Sequence, residues 1–158
     1  MAQIGIGIDS HRFEPGRRLV LGGVEIPNDE GLAGHSDADV LVHAIIDAML
    51  GAVGLGDIGQ HFPDTDEKWR DVDSMELLRT VVDKVGRTGW TVEHTDVTVM
   101  LERPKLSPSR EAIAASLGAV LGSVNVKFTT GEGMGFVGRG EGVVALAVAT
   151  LVPLGAEH

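Results

Sequence analysis

Three residues carry the chemistry most directly. Asp9 and His11 stand two apart at the end of an alternating stretch, and His43 follows in a later, helix-like segment. One carboxylate and two imidazoles make an oxygen–nitrogen ligand set with an open position, the donor pattern of a catalytic rather than a structural zinc. Asp-x-His alone is a common pairing; His43 gives it a partner. Asp39, His43 and Asp47 recur every four residues and so share one helix face. Those carboxylates suit a support for His43 or simply a polar face in water. Ser36, with Asp39 three residues on, reads as an N-cap. That puts His35 and Ser36 at a helix start, where free N–H groups and the dipole attract anions. Asp57, set among small residues, suits a sugar diol or a plain helix stop. Lys105 suits a phosphate, a nucleobase or solvent, and Glu132 in a glycine-rich loop suits a hard cation.

The elements that must position these residues follow from periodicity. Residues 3–13 alternate as a strand, with Ile4, Ile6, Ile8 and Ser10 on one face and Gly5, Gly7, Asp9 and His11 on the other. The isoleucine face is expected in the core, and the glycine face admits a close neighbour. Leu19 to Leu21 and Val24 to Ile26 flank Gly22-Gly23, a hairpin signal. Residues 27–34 read as a polar loop into the His43 helix, where Val40, Leu41, Ala44, Ile45 and Ala48 form the apolar sides. Glycines over 51–59 end that helix, and the turn over 61–66 is rich in carboxylates. Asp73 with Glu76 opens a helix with the stripe Leu77, Leu78, Val81, Val82 and Val85. Residues 90–101 form a strand. Ser107, with Pro108 next, caps a helix with Ile113, Leu117 and Leu121 inward. Residues 124–130 form another strand.

Gly133-x-Gly135-x-x-Gly138 matches the dinucleotide-binding spacing, but that motif must open a helix inside a βαβ unit. Here the chain runs into residues 143–152, which are apolar on both faces and read as a strand buried in the core or at a subunit interface. The glycine loop suits close backbone contact with phosphate instead.

The 158 residues fit one domain, residues 1–158. A net charge of −10 argues against nucleic acid as a partner. The absence of cysteine excludes disulfides and thiolate metal sites, leaving His, Asp and Glu as ligands. The N-terminus lacks a signal-peptide pattern, and the apolar run near the end is too short to span a bilayer, so a cytoplasmic protein without membrane contact is expected.

The ordered motifs resemble the 2-C-methyl-D-erythritol 2,4-cyclodiphosphate synthases. They are Gly5-x-Gly7-x-Asp9-x-His11, His35-Ser36-Asp37-x-Asp39 with His43, Gly56-Asp57-Ile58-Gly59, Phe62-Pro63-Asp64-Thr65-Asp66, Pro104-Lys105, Lys127-x-Thr129-Thr130, Glu132, and Gly135-Phe136-x-Gly138-Arg139-Gly140-Glu141-Gly142. The resemblance implies conversion of 4-diphosphocytidyl-2-C-methyl-D-erythritol 2-phosphate to the cyclic diphosphate and CMP, in the non-mevalonate isoprenoid pathway. It implies a zinc ion on Asp9, His11 and His43, and a magnesium or manganese ion held by Glu132 between the substrate's α- and β-phosphates. His35 and Thr130 would steady the transition state, and Ser36 would bind phosphate. Asp57, Ile58 and Gly59 would contact ribose and substrate, and Phe62, Pro63, Asp64, Thr65 and Asp66 the methylerythritol. Lys105, with Thr129, Thr130, Gly131 and Glu132, would surround the cytidine, and Phe136 and Arg139 would add ligand contacts.

The resemblance also implies an α/β fold, an α+β sandwich with helices on one face of a mixed sheet. It implies a homotrimer with its sheets facing the threefold axis and its active sites between subunits. Two residues depart from the pattern: Phe128 stands where a small residue is expected, and Gly131 where threonine is frequent. Both border the implied cytidine pocket. Two other functions use the same residues: a zinc-dependent phosphohydrolase, and a metal-binding trimeric scaffold without turnover.

Overall fold

The computed structural model describes residues 1–155. In chain order the elements are β1 (Gln3–Pro15), β2 (Leu19–Leu21), β3 (Val24–Ile26), β4 (Glu30–Leu32), α1 (Val40–Ala52), α2 (Ile58–His61), α3 (Ser74–Arg87), β5 (Trp90–Met100), α4 (Arg110–Leu121), β6 (Val124–Thr129), α5 (Gly135–Gly138) and β7 (Gly142–Pro153). A five-stranded sheet runs in the order β4-β1-β7-β5-β6. It is mixed: β5 and β6 are parallel, and the other neighbours are antiparallel. The α+β class that the resemblance implies and the strand–hairpin–helix order that periodicity predicts are both present.

One sheet face is covered by helices, and the closest packing is α1 on β1. It depends on two glycines. A Cβ on Gly7 would lie 1.9 Å from the Ala44 carbonyl oxygen of α1, and one on Gly5 would lie 1.9 Å from that of Ala48. Across the ladder, Gly5 pairs with Ala149, Gly7 with Ala147 and Asp9 with Ala145. Small side chains on β1, β7 and the helix therefore let α1 sit almost on the backbone. The close neighbour expected at the glycine face is this helix.

The isoleucines lie on the opposite face, contrary to the expectation that they form the core. Ile4, Ile6 and Ile8 are 70%, 62% and 60% exposed in the single chain. A period of two defines two faces but not which one is covered, and the missing Cβ atoms of Gly5 and Gly7 decide it for the helix. On β7 the same division appears. Val143, Ala145, Ala147, Ala149 and Leu151 are fully buried, whereas Leu146 is 38% exposed and Val144 and Val148 are half-buried. Within one chain the last strand is thus buried on one face only.

Three local expectations also change. Residues 27–34 contain β4, which pairs with the end of β1. The His43 helix starts at Val40, not after Ser36. Ala38 has φ 56, in the left-handed region, so no helix can pass through it. Asp39 is the N-cap and accepts the Val42 N–H at 3.1 Å. Its carboxylate also accepts the N–H groups of Gly22 and Gly23, whose φ values of 62 and 74 suit a hairpin turn. Asp39 thus ties the β2–β3 turn to the start of α1. Burial, with Asp37 nearby, raises its carboxyl to about 6 against those N–H bonds. Finally, Ser107 opens a 3-10 turn over Ser107–Ser109 without a side-chain cap, and α4 begins at Arg110.

Candidate active site

The three expected ligands meet. Asp9 and His11 project from β1 on the helix side of the sheet, and His43 reaches them from the first turn of α1. The His11 Nε2 atom lies 2.8 Å from Asp9 Oδ2, and His43 Nδ1 lies 3.2 Å from the same oxygen. One ligand atom from each falls within 4.8 Å of the others.

The remaining hydrogen bonds say what this cluster is built to hold. His11 Nδ1 lies 2.6 Å from the Ala33 carbonyl oxygen. A carbonyl only accepts, so Nδ1 carries the hydrogen and a neutral His11 turns the lone pair of Nε2 toward Asp9. Acceptors facing one another need a shared cation or a proton. Burial disfavours charge on both groups, yet the mutual hydrogen bonds and charges win. They hold the Asp9 carboxyl well below the usual carboxylate range, and they raise His11. Two imidazoles and an ionised carboxylate fit a borderline-soft divalent ion such as zinc.

These residues line one end of a cavity of about 280 Å³. From the expected set it also takes His35, Ser36, Ile58, Gly59, Phe62, Asp64 and Asp66. His35 and Ser36 do not sit at a helix N-terminus, because α1 starts later. They occupy a loop pinned from both sides: the Arg17 guanidinium donates to the Gly34 and Ser36 carbonyls, each at 2.8 Å, and the Asp71 N–H donates to the His35 carbonyl at 2.9 Å. Asp57 is exposed and caps α2 through the Gln60 N–H. Asp47 touches the site indirectly, by accepting the Ile58 N–H at 2.7 Å. Asp39 meets His43 only through the backbone, its carbonyl accepting the His43 N–H at 3.0 Å; its carboxylate is committed to the hairpin and the helix start.

Pro63 and Thr65 are exposed in the same turn and do not line the cavity. Lys105, Thr129, Thr130, Gly131, Glu132, Phe136 and Arg139 form no part of it either. They cluster past β5 and β6, where Leu101 N–H donates to the Thr129 carbonyl and Gly131 N–H to the Glu102 carboxylate. Thr130 Oγ1 donates to Glu132 at 3.2 Å, Glu132 has φ 53, and Arg139 pairs with Glu141 at 2.9 Å. The ladder shows how the two groups relate: Ser10 pairs with Val144, Val144 with Met100, and Met100 with Thr129. Both lie at one end of the sheet, three strand spacings apart, or about 14 Å.

Residues that periodicity and motif did not single out complete the cavity. Trp69 lines it and stacks edge-on against Phe62 with ring centroids 4.9 Å apart, while Leu77, expected only as part of a core stripe, lines it too. Arg17 was equally unmarked, a basic residue in a turn whose role depends on carbonyls 17 and 19 residues away.

Fold and site together define a mixed α+β protein with an aspartate–histidine–histidine centre able to hold a metal ion. Comparison with known proteins gives the family. The YgbB family model matches residues 2–152. The bifunctional enzyme IspD/IspF of Anaeromyxobacter dehalogenans is 60% identical over 152 residues, and the match covers 94% of this chain but 39% of that protein. The chain therefore spans well under half the length of that relative. The 2-C-methyl-D-erythritol 2,4-cyclodiphosphate synthase of Salinibacter ruber is 57% identical over 153 residues, covering 94% of this chain and 98% of that one. A solved 2C-methyl-D-erythritol-2,4-cyclodiphosphate synthase in a CDP-bound form has a TM-score of 0.87 at 41% identity, covering 95% of this chain and 100% of that one. The chain belongs to the YgbB family, with relatives along nearly its whole length named as cyclodiphosphate synthases.

Proposed function

We propose that the protein converts 4-diphosphocytidyl-2-C-methyl-D-erythritol 2-phosphate to 2-C-methyl-D-erythritol 2,4-cyclodiphosphate and CMP, a phosphorus–oxygen lyase step in the non-mevalonate route to isoprenoids. The observation that carries the reading is the convergence of Asp9, His11 and His43 at one end of the His35–Ser36 cavity, in a chain of this family. In the reaction a 2-phosphate oxygen bonds to the β-phosphorus. The bond from that phosphorus to the bridging oxygen breaks, and CMP leaves with the oxygen.

In this reading Asp9, His11 and His43 hold a zinc ion and Glu132 a magnesium or manganese ion, which when bound supply positive charge to the diphosphate oxygens. The chain's own groups do the rest. His35 and Thr130 stabilise charge as it develops, and Ser36 orients phosphate. Ile58 and Gly59 contact ribose and substrate, Phe62, Asp64 and Asp66 enclose the methylerythritol, and Lys105, Thr129, Gly131 and Glu132 take the cytidine half, helped by Phe136 and Arg139.

The reading includes a homotrimer whose sheets face the threefold axis, with each active site completed by a neighbouring subunit. Two observations support it. The isoleucines of β1 stand beside Val144, Leu146 and Val148 in an apolar sheet face open to solvent, a surface that asks for a partner. The two groups of site residues share one end of the sheet but not one cavity, so a second copy can bring them together. No described helix is long and apolar enough to cross a membrane.

The test is incubation with the diphosphocytidyl substrate, zinc and magnesium, followed by phosphorus NMR and chromatography. CMP and cyclic diphosphate in equal amounts are expected. Release of inorganic phosphate without cyclic product would refute the reading in favour of a hydrolase.

A further inference from the structure

The polar contacts around His43 include two residues with no part in the proposed chemistry, Asp37 and Ser74. Ser74 opens α3 and is fully buried, 31 residues from His43 in the chain. His43 faces Asp9 through Nδ1. Its other nitrogen, Nε2, lies 3.1 Å from two hydroxyls, Ser36 Oγ and Ser74 Oγ.

The two hydroxyls are not equivalent. Ser74 donates its hydroxyl hydrogen to Asp37 Oδ1. The Asp37 carboxylate is itself fixed, because it also accepts the backbone N–H of Ser74 at 3.0 Å and that of Asp39 at 3.2 Å. An ionised carboxylate only accepts, so the hydroxyl has no choice of direction. With its one hydrogen committed, Ser74 Oγ can only accept from His43, which requires the hydrogen on Nε2. Ser36 Oγ accepts the Ala38 N–H at 3.2 Å but keeps its own hydrogen free to turn, so it fits either form of the ring.

We propose that Asp37 and Ser74 form a relay that holds His43 in its Nε2–H form and so presents the Nδ1 lone pair beside Asp9. They are positioning residues for metal capture. The proposal rests on the reading of Asp9, His11 and His43 as a metal centre. It adds what that trio lacks, since the only pull within the trio is that of the Asp9 carboxylate, an acceptor 3.2 Å from Nδ1 that draws the hydrogen to the opposite nitrogen. His11 is fixed in the complementary sense by the Ala33 carbonyl, so the two rings are set by separate devices to aim lone pairs at one point. The relay also ties the start of α3 to the site.

The test uses the full chain. In metal-free protein, nitrogen-15 NMR of the histidine rings reports the form of His43 without any substitution. Zinc affinity is then read by competition with a chromophoric chelator for wild type, Ser74→Ala and Asp37→Asn, with far-UV circular dichroism to confirm folding. The expected result is Nε2–H for His43 in the wild type, a mixture of forms in Ser74→Ala, and zinc bound about 10- to 100-fold more weakly in both variants. A wild-type His43 carrying its hydrogen on Nδ1, or a folded Ser74→Ala that binds zinc as tightly as wild type, would overturn the proposal. Wild-type protein that binds no zinc would instead refute the metal centre, and the NMR result would still decide the relay.

Discussion

Replacing Gly7 by alanine tests how the fold aims the site. Its Cβ would sit 1.9 Å from the Ala44 carbonyl oxygen and 2.7 Å from the Ala48 nitrogen, both backbone atoms of α1. Ordinary contact begins at 3.4 Å, so strand and helix must part by about 1.5 Å along that line. No flexible side chain can absorb the shift. Overpacking costs about 1–3 kcal/mol where side chains yield, and a backbone clash belongs at or above the top of that range. The displacement also reaches the chemistry, because His43 immediately precedes Ala44 on α1 and lies only 3.2 Å from Asp9. Gly7→Ala should lower the urea midpoint by an amount equivalent to about 3 kcal/mol or more, and weaken zinc binding at least tenfold in the fraction that folds. Equilibrium denaturation and chelator competition measure the two effects. Wild-type stability together with wild-type zinc affinity would refute the claim that α1 is seated on the glycine backbone.

Other perturbations separate the parts of the account. Arg17→Ala removes the clamp on the His35 loop and touches no metal ligand; turnover should fall on the order of 10- to 100-fold with zinc affinity unchanged, and free guanidinium should restore part of the rate. Ile6→Asp places a charge in the middle of the exposed apolar face, so sedimentation should show wild type as a trimer and the variant as a folded monomer. Burial, aided by the charges of Asp57 and Asp9, raises the Asp47 carboxyl despite its bond from the Ile58 N–H. Its ionisation therefore opposes folding: the penalty is absent below the unfolded pKa of about 3.9 and complete above the raised folded value. Asp47→Asn should thus make the metal-free protein more stable at pH 7, and urea midpoints should show that gain fading toward pH 4.

The candidate metal centre was legible because its three side chains are of types that ligate, and because a strand and a helix each fix where theirs point. The absence of cysteine narrowed the ligands further. What surrounds the centre was less legible, since it depends on contacts far apart in sequence. Ser36 and Asp39 have a capping spacing, but Ala38 between them adopts a left-handed backbone that no propensity signals, and the helix starts four residues after Ser36. Alternation along β1 identified its two faces, whereas the burial of the glycine face follows from α1 approaching a backbone without side chains. Arg17 and Ser74 carry no motif. Their roles arise only when loops 17 to 37 residues distant are folded against them.

The most direct test of the central claim is the fate of solvent oxygen. In the proposed reaction the attacking group is the substrate's own 2-phosphate, so no water is consumed. Turnover in water enriched in oxygen-18, with mass spectrometry of both products, should give cyclic diphosphate and CMP without label. One oxygen-18 atom per turnover in a phosphate product would mean that water is the nucleophile, and would contradict the account.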